Sequence, residues 1–430
     1  MFKTLKNAWA TPEIKQKLLF TLFIVLLYRI GAAVHVPFTD YEAIRSQLQF
    51  SDGNFFTYLN ILSGESLSRA TLFALSISPY ITASIVMQLL TVAIPALERI
   101  SKRDDGQKVI TMWTRVVTVV LAFLTAYGYY MYMKNYDCLT ATGETAFGGF
   151  VIVFCYAAGA ALIMWLAEKI NDKGIGNGIS IILFANIVTS MFSSAISIGS
   201  YAISDAWRFL LCVVLLFAVL AMIAFVVYVT NSERRIPVQY AKKVVGRKMY
   251  GGQSSTLPIK LNMSGVMPII FAQSIVTIPS TIEMIFSGSI KEGGFWDKFF
   301  DFFSFNSIVY AVLFFIFIIL FSYFYITISF NPIEVANNLK KNGGFVPGIR
   351  PGKPTSDYIT KILNRITLIG AIFLSIVAVV PLIVNIISNS QLGSLAFGGS
   401  SLLIMVGVVL ETVREIEAQM TMRHYKGFLE

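Results

Sequence analysis

Long apolar runs alternate with short polar segments along the whole chain. About ten of these runs approach or exceed the ~20 residues that a helix needs to cross ~30 Å of hydrocarbon. They lie near residues 18–37, 72–94, 111–133, 149–167, 179–198, 207–229, 264–286, 308–330, 366–388 and 399–418. A helix satisfies its own backbone hydrogen bonds, as lipid requires. The pattern therefore predicts an all-α polytopic membrane protein with ten transmembrane helices.

Composition and charge agree with this class and set an orientation. Hydrophobic residues make up 56% of the 430 residues, charged residues only 13%, and the mean hydropathy is +0.69. These values are far from those of an ordinary soluble domain. Most of the 34 lysines and arginines fall on alternate loops and near the two termini. Because positive charge favours the cytosolic side, both termini are predicted to be cytosolic.

The predicted spans divide evenly between residues 1–203 and residues 204–430. Five spans in each half permit a pseudo-symmetric inverted repeat, because an odd number reverses the second half in the membrane. The second half also contains two long basic loops, 231–262 and 331–365. Their Gly-Gly and Pro-Gly pairs predict shaped hairpins rather than floppy tails.

The segment 55–69, FFTYLNILSGESLSR, does not fit the pattern of spans. It is apolar on one side, polar on the other, and too short to cross a bilayer. One interpretation is a helix that lies on the outer membrane surface. The other is a re-entrant half-helix inside a cavity, because irregular backbone at membrane depth requires surrounding protein or water. The sequence leaves both open.

Enzymatic chemistry has little support in the sequence. The phosphate-binding pattern GxxxxGK[ST], the zinc pattern HExxH and the nucleophile pattern GxSxG are all absent. Three isolated cysteines outline neither a disulfide framework nor a metal site, and no cofactor is predicted. An ion-coupled secondary transporter of a small solute is the main alternative, because it shares many spans and repeats. Such transporters normally carry acidic or histidine residues at mid-membrane, and the spans here offer few.

Four segments, in order along the chain, carry a resemblance to a known family. They are ALSISPYITASIVMQLL (74–90), WLAEKINDKGIGNGISIILFA (165–185), YAKKVVGRKMYGGQSSTLPIKLN (240–262) and FVPGIRPGKPTSDYI (345–359). Together they resemble the SecY family, whose members are the central subunits of the bacterial protein-conducting channel. The resemblance implies two inverted five-helix halves around an hourglass pore. It also implies a passive channel, not an enzyme, in the bacterial cytoplasmic (inner) membrane.

The resemblance assigns a pore ring and a plug. The ring corresponds to aliphatic side chains at Ile81, Ile85, Leu183, Ile187, Ile270 and Ile404. The segment 55–69 then becomes the plug, represented by Phe56, Leu59, Ile61, Leu62, Ser63, Gly64 and Glu65. Within the ring, the pairs 81/85 and 183/187 are spaced i,i+4 and share a helix face. On spacing alone, however, all six could be ordinary packing residues.

A lateral gate is expected where spans two and seven meet. Polar side chains are unusually frequent there, at Thr82, Gln88, Gln273, Ser274 and Thr277. The resemblance implies that a signal sequence enters the channel at this seam, and that transmembrane segments leave through it into lipid. Hydrogen bonding between helices would explain the same polar residues equally well.

The basic loops are the expected docking surface for partners. The resemblance implies the SecA motor ATPase and the ribosome, through its RNA, as cytosolic partners, and SecE and SecG as membrane partners. Secretory polypeptides with signal sequences are the implied cargo. The docking residues would be Arg350, Lys242, Lys243, Arg247, Lys248, Lys340 and Lys341. Control of topology and attraction to anionic membrane lipids are the simpler explanation for scattered lysines.

Overall fold

A computed structural model describes most of the chain. The described residues are 8–47, 55–101, 103, 105–202, 206–240, 243–245, 248–250, 254–286, 294–305, 307–387 and 398–426. The helices of the first half are α1 Pro12–Gly31, α2 Tyr41–Gln47, α3 Phe55–Leu62, α4 Ser78–Ala93, α5 Pro95–Ser101, α6 Gly106–Asn135, α7 Ala146–Lys173 and α8 Gly178–Ala202. Those of the second half are α9 Ala206–Asn231, α10 Met267–Val276, α11 Ile278–Phe286, α12 Phe295–Phe302, α13 Ile308–Ser329, α14 Pro332–Lys341, α15 Lys353–Ile387 and α16 Gly398–Lys426.

Each of the ten predicted spans coincides with a helix or a helix pair, but two of them differ in shape. The second begins at Ser78 rather than residue 72, because Pro79 occupies the first turn of α4 and the preceding residues form turns. The chain bends by 106° between α4 and α5. The seventh is broken at Thr277 into α10 and α11.

Length and apolar composition identify fewer membrane-crossing helices than the sequence predicts. Among the described residues, four helical stretches pass both criteria, and the bent pair α4 and α5 would make a fifth. The four stretches are Gly106–Asn135, Ala146–Lys173, Ile308–Lys341 and Lys353–Val384. Three shorter apolar helices lie at Gly178–Ser193, Leu216–Asn231 and Met267–Val276. The count of ten spans stays a prediction.

The first long basic loop folds into a small sheet. The strands are β1 Glu233–Tyr240, β2 Lys243–Val245, β3 Lys248–Tyr250, β4 Ser254–Lys260 and β5 Gly344–Phe345. Strand β1 pairs antiparallel with β4 and β5, and β2 pairs with β3. Alternation along β1 buries Ile236 and Val238, and Ile236 packs with residues from the end of α13 and the start of α15. The loop is thus ordered at β1 and β4, whereas Gly251 and Gly252 lie outside the described residues, so the hairpin predicted there stays a prediction.

One hydrophobic core runs through both halves of the chain. It includes buried side chains from α1, α4, α7 and α8 in the first half and from α10, α13, α15 and α16 in the second. Helix α4 contacts α10, and α8 contacts α16, so the two halves meet along these helices. The end of the segment 55–69 packs into the same core through Leu62.

Candidate functional site

The six predicted ring residues come together inside the protein. Each has at most 5% of its surface exposed, and all six belong to one hydrophobic cluster. They arrive from four different helices: α4 and α8 supply two each, α10 and α16 one each. Pro79 and Pro268 lie in the first turns of α4 and α10, which places Ile81 and Ile270 near the starts of these helices. The arrangement forms an aliphatic centre between the two halves.

A cavity of about 420 Å³ adjoins this centre. Four ring residues line it, and so do Leu59, Leu62 and Leu67 of the segment that follows α2. The other walls come from α4, α6, α10 and α11. Half-exposed lining residues such as Val86 and Ile282 show that the cavity opens toward the outside of the bundle. Ile85 and Ile187 do not line it.

The described side chains from Leu59 to Ser68 are buried or half-buried, so the interpretation as a surface helix is wrong for them, whereas Arg69 is exposed. Ser63, Ser66 and Leu67 are almost completely buried. Helix α3 packs against α8, and the chain then turns through residues 63–70. The predicted plug residues Leu59, Ile61 and Leu62 contribute to the core. The side chain of Phe56 lies outside the described residues.

Polar side chains of α8 and of the turn before α4 hold the carboxyl end of α3. Asn186 donates from Nδ2 to the Leu62 carbonyl at 2.7 Å and to Ser76 Oγ at 3.3 Å. Ser76 Oγ donates to the same carbonyl at 2.9 Å, and Ser190 Oγ donates to the Ile61 carbonyl at 3.0 Å. The last carbonyls of a helix have no partner within it. These contacts, here called the α3 latch (Asn186, Ser76, Ser190), satisfy two of them.

Arg29 of α1 completes the surroundings of the latch. Its Nη2 donates to the Ala185 carbonyl at 2.6 Å and to Thr189 Oγ1. The guanidinium lies near Gly64, because a Cβ built there would be 3.2 Å from Nη1. A positive charge is favourable beside the carbonyl end of a helix. Gly64 itself has φ +64°, a conformation that glycine adopts without strain.

The contacts of Arg29 and of the α3 latch were not predicted from the sequence. For Arg29 a signal was present, because an arginine within an apolar span usually faces the protein interior. For Asn186 the only signal was an amide in an otherwise apolar helix. Its contact with Leu62 joins residues far apart in sequence, and no local pattern encodes that contact.

Four of the five predicted gate residues line the cavity: Thr82, Gln273, Ser274 and Thr277. Gln88 does not, and its amide instead reaches Ser84 on its own helix at 3.4 Å. Gln273 donates to the Tyr310 hydroxyl of α13 at 3.4 Å. Within the described part of the chain, no hydrogen bond from these five side chains joins α4 to α10. The two helices instead share apolar residues of one hydrophobic cluster, Ile81 and Ile85 from α4 and Ile270 from α10.

The predicted docking residues are only partly described. Arg350 is exposed on a turn bounded by Gly348 and Gly352, both with positive φ. Thr355 Oγ1 donates to the Arg350 carbonyl at 2.8 Å, which fixes the turn at the start of α15. Lys340 and Lys341 are exposed at the end of α14. Lys242 and Arg247, together with the side chains of Lys243 and Lys248, lie outside the described residues.

Lys260 adds a further basic group on the same side of the protein. It ends β4, outside the membrane-spanning segments. Burial and the nearby Arg414 guanidinium lower the pKa of the Lys260 ammonium, and Glu233 acts in the opposite direction. Arg414 in turn donates to the Thr230 carbonyl at 3.0 Å and to Asn231 Oδ1 at 2.8 Å. These bonds join α16 to the end of α9 beside Lys260.

The described residues contain no cluster of metal-ligating side chains. No group of three or more His, Cys, Asp or Glu side chains there is close enough to hold a metal ion. Cys138 and Cys155 are free thiols. Cys138 lies in the loop between α6 and α7, where burial and then Asp40 and Asp137 raise the pKa of its thiol.

Comparisons with known proteins agree on one family. The family model described as SecY matches residues 71–413. A protein translocase subunit SecY from Streptomyces coelicolor is 41% identical over 441 residues, covering 100% of both chains. One from Mycobacterium tuberculosis is 41% identical over 446 residues, again covering 100% of both.

Solved structures with the same fold are more distant in sequence. One is described as a protein conducting channel, with a TM-score of 0.66 and 19% identity, over 94% of this chain and 92% of that chain. Canine Sec61 in a ribosome–channel complex has a TM-score of 0.63 and 18% identity over the same shares. A third structure concerns the plug domain of SecY, with a TM-score of 0.62 and 18% identity over the same shares. The fold is therefore that of these all-helical membrane channels.

Proposed function

The chain belongs to the SecY family, and on that premise we propose that it is a protein-conducting channel of the bacterial cytoplasmic membrane. It moves unfolded secretory polypeptides across the membrane and releases transmembrane segments sideways into the lipid. Its two halves are residues 1–203 and 204–430, arranged as an inverted repeat. Both termini are on the cytosolic side, where the basic loops also lie.

The observation that carries this proposal is the aliphatic centre with the segment 55–69 seated beside it. Ions that enter a narrow apolar constriction lose hydration, and such constrictions close by dewetting. Alkyl side chains also impose no hydrogen-bond geometry on what passes. They therefore suit a conduit for chains of arbitrary sequence. Six of them from four helices form the ring, and residues 55–69 form the plug that seals it.

The seam between α4 and α10 serves as the lateral gate. Apolar contacts close it, and the adjoining cavity presents mainly aliphatic side chains. A signal sequence brings an apolar stretch of roughly 7–15 residues. When the gate opens, its apolar contacts are lost. A bound signal stretch buries apolar surface in their place, and each Å² buried stabilises the open state by about 25 cal/mol. Among the described residues, none of the five gate side chains has a hydrogen bond between α4 and α10 that would have to be exchanged at the same time.

The energy for transport comes from partners. The channel is passive, and the SecA motor ATPase or the elongating ribosome drives the polypeptide. Both dock on the exposed basic loops that contain Arg350, Lys340 and Lys341, which attract acidic protein surfaces and phosphate backbones. SecE and SecG complete the complex within the membrane. A ribosome-bound relative, canine Sec61, has the same fold.

The alternative of an ion-coupled transporter has less support. The side chains that line the cavity are apolar or uncharged, with no acidic, basic or histidine side chain among the described lining residues. Coupling to protons or sodium ions normally requires such groups at mid-membrane. The lining therefore favours a passage for polypeptides over a binding site for a small solute.

Crosslinking tests the proposal directly. Single cysteines are introduced as Ile81→Cys, Ile187→Cys and Ile270→Cys in a chain without its native cysteines. A secretory polypeptide that carries one cysteine is stalled during export, and a mild thiol oxidant is added. We expect disulfide adducts at all three positions. Leu320→Cys, on the exposed face of α13, is the matched control and should give none. A solute carrier would give no adducts at the ring and a saturable uptake of its solute.

A further inference from the structure

A short aromatic helix follows the broken seventh span and was not predicted from the sequence. Helix α12 has the sequence FWDKFFDF and lies in the loop between α11 and α13. Its largest side chains are exposed: Phe295 by 77%, Trp296 by 61%, Phe302 by 55% and Phe299 by 40%. Phe295, Phe299 and Phe302 are spaced i, i+4, i+7, so they share one face. A rigid apolar face on an eight-residue helix requires an apolar neighbour.

One face of α12 packs against the rest of the protein. Phe300 is buried, with only 7% of its surface exposed. Trp296 stacks on Phe300, with ring centroids 6.3 Å apart, and meets Phe295 edge to face at 5.8 Å. The helix also contacts α11. Phe300 therefore attaches α12 to the protein, while the exposed rings point elsewhere.

The exposed rings continue a lipid-facing surface. Helix α11 exposes Ile278, Ile282 and Phe286 along one face; Ile278 and Ile282 also line the cavity where it opens toward the outside of the bundle, and Phe286, the last residue, continues this face beyond the cavity. Helix α13 begins with Ile308, which is exposed together with the residues one, two and three turns later: Val312, Ile316 and Leu320. Both apolar stripes face lipid in a membrane channel. Helix α12 lies in the chain between the ends of these two stripes, where the lipid-facing surface stops.

We infer that α12 binds the membrane itself, with Phe295, Trp296, Phe299 and Phe302 inserted at the boundary between headgroups and acyl chains on the non-cytosolic side. Aromatic residues concentrate at that depth. Short amphipathic helices lie in the plane of this interface with their apolar face toward the acyl chains. The residues Asp297, Lys298 and Asp301 give the helix no excess of positive charge. Binding therefore depends on the aromatic rings and not on anionic lipid.

The tryptophan within α12 provides the test. Trp9, Trp113, Trp165 and Trp207 are replaced by phenylalanine in the full chain, so that Trp296 is the sole emitter in proteoliposomes. We expect blue-shifted emission that bromines placed near the headgroup end of phosphatidylcholine chains reduce roughly twofold, as for an interfacial ring. Bromines near the bilayer centre should quench less, and aqueous iodide should quench weakly. Adding anionic lipid should change none of these values.

Two control proteins calibrate the result. In a tryptophan-free chain, Lys340→Trp on the exposed end of α14 should be quenched by iodide and not by brominated lipid. Leu320→Trp on α13 should be quenched by brominated lipid and not by iodide. If Trp296 behaved like the Lys340→Trp control, its face would be in water and the inference would be wrong. Insensitivity to both quenchers would mean that another protein surface covers α12, which would also overturn it.

A variant separates insertion from simple proximity to lipid. Replacing Phe295, Phe299 and Phe302 together by serine, with Trp296 kept, should abolish most of the quenching by brominated lipid and increase that by iodide. Undiminished lipid quenching in the folded triple variant would contradict a role for these rings. If the triple variant does not assemble, Phe299→Ser alone should produce a smaller shift in the same direction.

Discussion

Removing the amide of Asn186 should weaken the packing of the segment 55–69 against α8. The packed arrangement is called the seated state below. In Asn186→Ala, the two hydrogen bonds from Nδ2, at 2.7 Å to the Leu62 carbonyl and 3.3 Å to Ser76 Oγ, are lost. The Leu62 carbonyl keeps the bond from Ser76 Oγ, so it is not left without a partner. Each neutral hydrogen bond contributes about 1 kcal/mol net. The seated state should therefore lose about 1–2 kcal/mol, which raises the unseated population roughly 5–30-fold.

Thiol labelling measures this population. Ser66 is almost completely buried, and its hydroxyl has no hydrogen-bond partner among the described residues, so Ser66→Cys should be tolerated. In a chain otherwise free of cysteine, a membrane-impermeant maleimide added from the non-cytosolic side reaches this thiol only when the segment leaves its seat. The labelling rate should therefore rise by the same factor in Asn186→Ala. Ser190→Ala, which removes one bond to the Ile61 carbonyl, should give a smaller increase.

Gln88→Ala is the control, because it removes a side-chain amide that does not bond the segment 55–69. Gln88 also carries an amide, but its partner is Ser84 on the same helix, and it does not line the cavity. Its removal should leave the labelling of Ser66→Cys unchanged. Equal labelling rates for Asn186→Ala and the parent, or an equal increase in Gln88→Ala, would refute the role of the latch.

Substitutions at four further positions test other parts of the site. Arg350→Glu should abolish export driven by the motor while the amount of folded protein stays the same, and Lys340→Glu should have a weaker effect; normal export by Arg350→Glu would remove its docking role. Gly64→Ala places a Cβ about 3 Å from Asn186 at φ +64°, so it should cost about 1–2 kcal/mol and speed labelling of Ser66→Cys; an unchanged rate would show that the turn accommodates it. Arg29→Leu should also speed labelling, and Arg29→Lys should restore part of the seating; identical rates in the two variants would exclude a contribution from charge.

The positions of the long helices could be predicted because their information is local. A bilayer sets the length of an apolar run, so hydropathy alone located helices at every predicted span. The spacing of Ile81 and Ile85, or of Leu183 and Ile187, fixes a common helix face. The family resemblance was still needed to choose these residues over other aliphatic ones. All six ring residues now lie in one buried cluster, and their role at the pore stays a prediction.

The remaining features depend on contacts between distant residues. The latch joins Asn186 to Leu62, and no pattern within either segment encodes that hydrogen bond. The surface-helix interpretation of residues 55–69 remained open for this reason. The break at Thr277 and the bend after α4 lie inside or beside apolar runs that read as continuous. Helix α12 was missed because eight residues are too few to produce a distinct signal in a loop.

The most direct test of the aliphatic ring is the resting ion conductance of the purified channel in planar bilayers. Replacing Ile187 and Ile270 together by serine should wet the constriction and raise the conductance well above that of the parent. The matched control replaces Ile316 and Leu320, on the exposed face of α13, by serine and should leave the conductance unchanged. If the double variant Ile187→Ser, Ile270→Ser kept the low resting conductance of the parent, the claim that these alkyl groups block ions would be contradicted.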